Sequence, residues 1–274
     1  MTTRCKPLLG TYVEISIQQN KEAKIIEDAF AAIKQVQELM SFHNPLSELN
    51  IINQRAHLEP IAIHPWTAQI IIIAQEIYEQ SSGLFNCGIG HRLVAAGLLP
   101  CHIDLSTCKW GGIEDIGFLE PEIIISSKPL CLDLGGIAKG FAVDKAVEVL
   151  ISKRIKSGCV NAGGDLRVFG NTPKLVQIRD PKNPGQLVEI GSIQNGAVAT
   201  SSLYFAKRDG RPSYIINPMT DDQSMVHVNF SDSYSIVANE CVYADALTKV
   251  LALSHGYDHP CFSHFSAKAI RIAA

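Results

Sequence analysis

Leu132-Asp133-Leu134-Gly135-Gly136-Ile137-Ala138-Lys139-Gly140-Phe141-Ala142-Val143-Asp144-Lys145-Ala146 is the stretch on which the reading of this chain turns. An apolar run that begins at Ile123 to Ile125 and resumes at Leu130 leads into the adjacent Gly135 and Gly136. A helical pattern then opens through Ala142, Val143, Ala146, Val147 and Leu150. That order predicts a strand, a tight turn and the start of a helix. Glycine has no Cβ, so such a turn lets the backbone approach a ligand closely and aims unpaired helix N–H groups at it. Those groups favour an anion. Lys139 adds a mobile positive charge at the same point, which makes phosphate the first ligand class to consider. Taken alone, the motif has a plainer reading as an ordinary turn.

Two familiar phosphate motifs do not account for it. A P-loop needs four residues between its glycine and Gly-Lys-Ser/Thr, whereas here two residues separate Gly136 from Lys139 and Gly140 follows. Gly88-Ile89-Gly90-His91-Arg92-Leu93 starts as a dinucleotide fingerprint but lacks the third glycine.

Outward from this centre, Val13, Ile15 and Ile17 alternate with Tyr12, Glu14 and Ser16 as in a half-buried strand. From about Lys21 to Met40 the period changes, and Ile25, Ile26, Ala29, Phe30, Ile33, Val36 and Met40 share one helix face that ends before Pro45. Ser47 to Asn53 is a short helix capped by Ser47 or a loop. A further helix follows Pro65 and ends near Gly83, before the glycine-punctuated loop Gly83 to Gly90, in which Phe85 either stacks on a ring or is buried in a bend.

Beyond the centre, Asn161-Ala162-Gly163-Gly164-Asp165 repeats the paired glycines between strand-like flanks. Lys174 to Arg179 and Leu187 to Ile193 read as strands joined by a turn at 180–185. Ser213 to Pro218, Met225 to Val237 and Ala267 to Ile272 are further expected strands. The last helix begins near Cys241 and carries Ala244-Asp245-Ala246-Leu247-Thr248-Lys249-Val250, with Asp245 its one acid in that run. That acid either favours the helix dipole or serves as a hard oxygen donor to a metal. No repeat, low-complexity tract or linker interrupts the chain, and strands come in adjacent runs. The expectation is therefore an α+β fold: residues 1–274 as a single compact domain of antiparallel or mixed sheets with flanking helices.

A chain of 274 residues buries roughly three quarters of its surface on folding. The formal net charge of -3 and the lack of a long Lys/Arg run argue against nucleic acid as the main partner. The apolar stretch around Ile70 to Ile73 is too short to span a bilayer. Eight cysteines without Cys-x-x-Cys spacing, and a start without an apolar signal segment, lead to the expectation of reduced thiols and a cytoplasmic location.

The ordered set of motifs resembles the FAD:protein FMN transferase family, flavin transferases that attach FMN covalently to a threonine of partner proteins. Leu9-Gly10-Thr11 is similar to that family's Met-Gly-Thr, Ser47-Glu48 with Asn53 to its Ser-Glu-x-x-x-x-Asn, and Gly83-Leu84-Phe85-Asn86 to its Gly-Ala-Phe-Asp. The Asp133 to Gly140 string resembles its most specific signature. Asn161 to Asp165, Ala199-Thr200-Ser201, Ile215-Ile216-Asn217-Pro218 and Ala244-Asp245-Ala246-Leu247 follow in the expected order.

The resemblance implies that FAD is the substrate and that a flavoprotein carrying a Thr or Ser hydroxyl is the acceptor. It implies Asp133 and Lys139 on FAD, and His43, Leu84, Phe85, Asn86 and Ile216 around the flavin or adenine. It also implies Mg²⁺ on the Gly136 carbonyl and Asp245, with Thr248 as a further ligand, and it makes Asp245 and Lys139 the catalytic pair. Breaking a pyrophosphate to expel AMP needs developing oxyanion charge neutralised and the attack held in line. A divalent cation, Lys139 and the turn amides answer that need.

Departures from the family pattern are visible as well. Tyr214 stands where the family commonly has histidine, and with an ordinary pKa of about 10 it is a weak base at neutral pH. Asn86 replaces an acid. Lys249 occupies the position, four residues after Asp245, of a threonine metal ligand, and Thr248 lies one position earlier, about 100° around the helix. Either the Lys249 ammonium replaces a cation, or it points away and Thr248 takes over. Competing readings are an FAD pyrophosphatase giving FMN and AMP, a flavin binder without turnover, and a zinc site among His255, Asp258, His259, Cys261 and His264.

Overall fold

A computed structural model of the chain describes residues 1–18, 23–104, 106, 109–202, 215–220, 232–254 and 256–274. In chain order the first elements are β1 (Thr2–Leu8), β2 (Thr11–Ile17), α1 (Ala23–Met40), α2 (Glu48–Arg55), β3 (Ile61–Ala62), α3 (Pro65–Gln80), α4 (Gly90–Ala95), β4 (Ile116–Glu120) and β5 (Ile123–Ser126). There follow α5 (Ala138–Ser152), β6 (Gly158–Ala162), β7 (Asp165–Phe169), β8 (Lys174–Arg179), β9 (Leu187–Ile193), β10 (Gly196–Ser201), β11 (Ser233–Ala238), α6 (Cys241–Ser254), α7 (Pro260–His264) and β12 (Lys268–Ile272). This is the mixed α+β architecture with antiparallel sheets that the clustering of strands predicts. The chain divides into two compact units: Met1–Gln37 with Lys139–Ser213 and Asn229–Ala274, and Glu38–Ala138 with Tyr214–Val228.

The first unit is built on a seven-stranded sheet in the order β1-β2-β6-β7-β10-β11-β12, paired antiparallel throughout. Val13, Ile15 and Ile17 are fully buried, as their alternation requires. The apolar stripe of α1 buries Ile26, Ala29, Phe30, Ile33 and Val36. Lys6 in β1 pairs with Glu27 and lies 4.9 Å from the Phe30 ring centre, which ties this helix to the sheet edge. Helix α6 packs on β10, β11 and β7. Gly163 and Gly164 form the β6–β7 hairpin loop with φ of +65° and +110°, the left-handed geometry that a two-residue primed turn needs. A Cβ on Gly163 would come within 2.5 Å of Thr11 Oγ1.

In the second unit, β3, β5 and β4 make a small antiparallel sheet. The helix option at Ser47 is the one realised: its Oγ accepts the Asn50 amide at 3.2 Å, and Asn50 Nδ2 donates to the Phe42 and Asn44 carbonyls. Asn53 exchanges two hydrogen bonds with Leu132, Nδ2 to O at 3.0 Å and N to Oδ1 at 2.7 Å. Asp133 N donates to Cys87 O at 2.8 Å, and Gly90 N to Cys131 O at 2.9 Å.

Those bonds explain a correction. The apolar run before the glycine pair is not a strand after Ser126: Leu130 forms only an isolated bridge to Gly111, and Cys131 to Leu134 satisfy their backbone through loop and side-chain partners. The helix opens earlier than its apolar period suggests, at Ala138. Ile215 to Asn217 lie outside any strand, while Ser213 and Tyr214 fall outside the described residues, as do residues 225–231 of the expected Met225–Val237 strand. The polar segment before the last strand holds α7, capped by His259. His255 is not described, and among the described residues no group of three or more His, Cys, Asp or Glu is placed to hold a metal ion. Among the same residues no helix is long and apolar enough to cross a membrane. Cys5 and Cys101 are exposed free thiols, and Cys87, Cys131, Cys159, Cys241 and Cys261 are buried ones.

Candidate functional site

Gly140 decides how close α5 and α6 come. Its Cβ position would lie 2.2 Å from Cys241 O and 2.9 Å from Asp245 Cβ, a space that no side chain can share. The start of α5 therefore sits directly on the first turns of α6. Asp144, one turn further along α5, accepts the Cys241 and Val242 amides at 2.9 and 2.8 Å and pairs with Arg167 at 2.8 Å. It satisfies two of the amides that a helix start leaves unpaired, and its charge complements the helix dipole. Burial pushes its carboxyl up to about 6, against the pull of Arg167 and the two amides.

Four charged side chains meet at this junction. Asp245, 1% exposed, accepts the Gly140 amide on Oδ2 at 3.0 Å, and Lys139 Nζ stands 3.4 Å from the same oxygen. Lys139 also pairs closely with Asp165, which opens β7 immediately after the hairpin glycines. Lys249 Nζ pairs closely with Asp245 Oδ1 and donates to the Asp245 carbonyl at 2.8 Å. Burial would raise the Asp245 carboxyl, but the Lys139 and Lys249 ammoniums and the Gly140 amide outweigh it and hold it below the ordinary carboxylate value. Burial dominates at Asp165 and, with the Asp245 charge, raises that carboxyl despite Lys139. Lys139 is raised: its burial works the other way, yet the Asp165 and Asp245 charges prevail. The cluster thus sets two acids, Asp165 and Asp245, against two lysines, Lys139 and Lys249.

Thr248 faces elsewhere. Its Oγ1 donates to the Asp245 carbonyl at 2.7 Å and lies 2.7 Å from Ser201 Oγ, so the serine hydroxyl is the donor in that second bond. Lys249, not Thr248, is the side chain that reaches the Asp245 carboxylate. Both Asp245 oxygens, its carbonyl and the Thr248 hydroxyl are thereby engaged by donors of the chain itself. A divalent ion binds through deprotonated or carbonyl oxygens with open lone pairs, so with Lys249 in this position the residues present do not fit Mg²⁺.

The remaining expected residues belong to the second unit. Phe85 is buried, its amide bonded to Ser81 Oγ at 3.0 Å, and Leu84 beside it is half-buried. Asn86 Oδ1 accepts the Gly88 and Ile113 amides at 2.8 and 3.1 Å, and its Nδ2 donates to Glu114 at 2.9 Å. Asp133 Oδ1 accepts the Gly135 amide at 3.2 Å, and Gly136 is half-buried in the turn before α5. His43 is exposed and Ile216 buried.

The structure thus brings Lys139 and Asp245 into one cluster, sets Thr248 on the Asp245 carbonyl instead, and carries Leu84, Phe85 and Asn86 on the loop whose Cys87 carbonyl receives the Asp133 amide. Reading the sequence singles out neither Asp165, Asp144 nor Gly140 for a role. The available signal was two acids in otherwise apolar surroundings next to glycine turns, Asp165 after Gly164 and Asp144 on a helix buried nearly all round.

Known proteins resemble the chain along most of its length. The chain is 27% identical over 293 aligned residues to the FAD:protein FMN transferase of Treponema pallidum, with 94% of this chain and 80% of that one covered. It is 26% identical to the FAD:protein FMN transferase of Vibrio cholerae, over 88% of this chain and 78% of that one. Among solved structures, flavin transferase ApbE from Vibrio cholerae superposes with a TM-score of 0.78 at 24% identity, covering 98% and 92% of the two chains. The ApbE protein of Thermotoga maritima gives 0.75 at 25%, covering 94% and 88%. The profile of the ApbE family matches residues 9–256, and the chain belongs to that family.

Proposed function

We propose that this protein transfers FMN from FAD to a threonine or serine hydroxyl of a partner protein and releases AMP, with residues 1–274 acting as one flavin-transferase-like domain. The observation that carries the reading is the Lys139–Asp165–Asp245 cluster at the start of α5, its two carboxylates buried, within a chain whose family and curated relatives are flavin transferases. In the reaction the acceptor hydroxyl gives up its proton to solvent as its oxygen attacks the FMN phosphorus, the bond from that phosphorus to the bridging oxygen breaks, and AMP leaves with the electron pair. The leaving phosphate gains negative charge, which a fixed ammonium stabilises more in the transition state than in the ground state.

Lys139 is suited to that task because Asp165 and Asp245 hold it in place and keep it protonated at any physiological pH. Asp245 orients it and is itself fixed by the Gly140 amide. On the same reading Asp133 contacts FAD, and His43, Leu84, Phe85, Asn86 and Ile216 line the flavin or adenine pocket. Tyr214, at the position of the family's histidine, lies outside the described residues. The Mg²⁺ that the resemblance implies on Gly136, Asp245 and Thr248 would neutralise phosphate charge where it is bound, but the donors at Asp245 are already engaged.

The test is to incubate the purified protein with FAD, with and without a protein bearing an exposed threonine acceptor, and to follow AMP by chromatography and the acceptor by mass spectrometry. Acceptor-dependent AMP release together with a gain of one FMN on the acceptor is expected. Release of AMP and free FMN regardless of acceptor would instead make it an FAD pyrophosphatase, and FAD binding without AMP a carrier.

A further inference from the structure

The arrangement around Asp245 holds one feature that flavin transfer does not require: a second ammonium on a carboxylate that is already paired. Lys249 lies one helical turn after Asp245, the spacing at which an acid and a base on a helix face each other. On an exposed helix such a pair is ordinary and worth little. Here the Asp245 side chain is 1% exposed and that of Lys249 20%, and Lys249 Nζ binds both the carboxylate and the carbonyl of Asp245. A flexible four-carbon stem is thus bent back to put its charge on two oxygens of the same residue.

We propose that the Lys249 ammonium takes the place of a divalent cation at Asp245, so that this protein handles FAD without Mg²⁺; the inference rests on the reading of FAD as the substrate. Two geometric facts support it. The Asp245 oxygens divide between two cationic groups, Lys249 on Oδ1 and Lys139 with the Gly140 amide on Oδ2. The hydroxyl next to it, Thr248, is turned onto the Asp245 carbonyl and Ser201, away from the carboxylate. Lys249 brings one fixed positive charge where a divalent ion would bring two. A lysine charge is fixed by the chain and needs no free metal, whereas it cannot pull several phosphate oxygens into one coordination sphere. The exchange therefore predicts independence from metal and weaker geometric demand on the diphosphate.

Two measurements decide the matter, one without reference to turnover. The full-length protein, stripped with EDTA and desalted, is titrated with Mn²⁺ as a spectroscopic stand-in for Mg²⁺ and free Mn²⁺ is followed by electron paramagnetic resonance. The wild-type protein is expected to leave the free Mn²⁺ signal undiminished, and Lys249→Thr, checked for an unchanged thermal melt, to remove one equivalent. Stoichiometric Mn²⁺ uptake by the wild type, or none by a folded Lys249→Thr, would overturn the proposal; should the variant not fold, the wild-type titration alone decides.

In the second, AMP release from FAD is measured in EDTA and in excess Mg²⁺. The wild-type rate is expected to be the same in both. Lys249→Met should lose about a hundredfold in EDTA, the usual loss when one group stabilising a developing oxyanion is removed. A wild-type rate that EDTA abolishes and Mg²⁺ restores would reject the substitution of lysine for metal. Absence of AMP under every condition would count against the flavin-transfer reading instead, while the Mn²⁺ titration still stands as the judgement on Lys249.

Discussion

The Asp144 carboxylate on α5 accepts the backbone amide of Cys241, the first residue of α6, at 2.9 Å. With the Val242 amide and the Arg167 guanidinium it makes three bonds across the junction that carries Asp245. Asp144→Ala removes the cap, strands two buried amides and leaves Arg167 without its partner carboxylate. A loss of about 3 kcal/mol is expected, the usual scale for breaking a buried charged hydrogen-bond set. Urea unfolding of the two proteins measures it directly; a difference below experimental error would show the cap to be idle.

The same residue sets a pH dependence. Burial raises the folded-state value of Asp144 to about 6, above the ordinary value of 3.8 that it takes when unfolded. Between those values the folded protein binds the proton that the unfolded chain releases, so this group's contribution to stability falls as pH rises from about 4 to about 6 and returns as pH falls. Asp144→Asn cannot titrate. The wild type minus Asp144→Asn difference in unfolding free energy is therefore expected to decline by up to about 3 kcal/mol across that window and to level off above it. A difference that is flat with pH would contradict the assignment.

Gly140→Ala sets two effects against each other. Alanine in place of a helical glycine ordinarily adds up to about 1 kcal/mol of helix propensity, and less in the first turn where Gly140 sits. Here its methyl would stand 2.2 Å from Cys241 O and 2.9 Å from Asp245 Cβ, both packed against the glycine. Overpacking of this kind costs about 1–3 kcal/mol and shifts backbone, so the net outcome is a lower melting temperature and a displaced Asp245. Differential scanning calorimetry reads the first consequence and the rate of AMP release the second, which should fall by at least about tenfold.

Asn86 ties its loop to Glu114 through its side-chain amide. Asn86 Nδ2 donates to Glu114 Oε2 at 2.9 Å while its Oδ1 holds the Gly88 and Ile113 amides. Asn86→Asp would face one carboxylate with another, at a cost of about 1–2 kcal/mol at neutral pH for a partly exposed like-charge pair. Adding Glu114→Gln restores a donor opposite the acid. A double-mutant cycle by thermal melts is expected to show the second change recovering most of the first; independent, additive losses would indicate that the two side chains do not communicate.

How far the sequence reveals this structure depends on where each residue finds its partner. Elements whose apolar period is closed within themselves were legible: the alternation at Val13, Ile15 and Ile17, the stripe of α1, and the glycine pair between strands at Gly163-Gly164, whereas Ser47 to Asn53 read equally as a capped helix or a loop. β1 was not. Its residues Thr2–Leu8 are largely exposed, include Pro7 and lie at the sheet edge, where only pairing with β2 defines a strand. Nor could the apolar run at Leu130 to Leu134 be told from a strand, because the group that satisfies Leu132 is a side chain 79 residues away. At the site, Lys139 and Asp245 stood out by chemistry. Asp165 and Asp144 acquire their roles only when β7, α5 and α6 converge, a three-dimensional fact with no short-range trace.

The two ammoniums that share Asp245 are joined to it in different ways. Lys249 belongs to the same helix and meets Asp245 by the repeat of α6 alone, whereas Lys139 arrives from a residue 106 positions away through the packing of α5. Loosening of that packing would detach Lys139 and leave the Lys249 contact standing for as long as α6 stays wound. On warming, the junction would come apart in order: the long-distance lysine goes first, and the carboxylate keeps its local counterion until the last turn of helix melts.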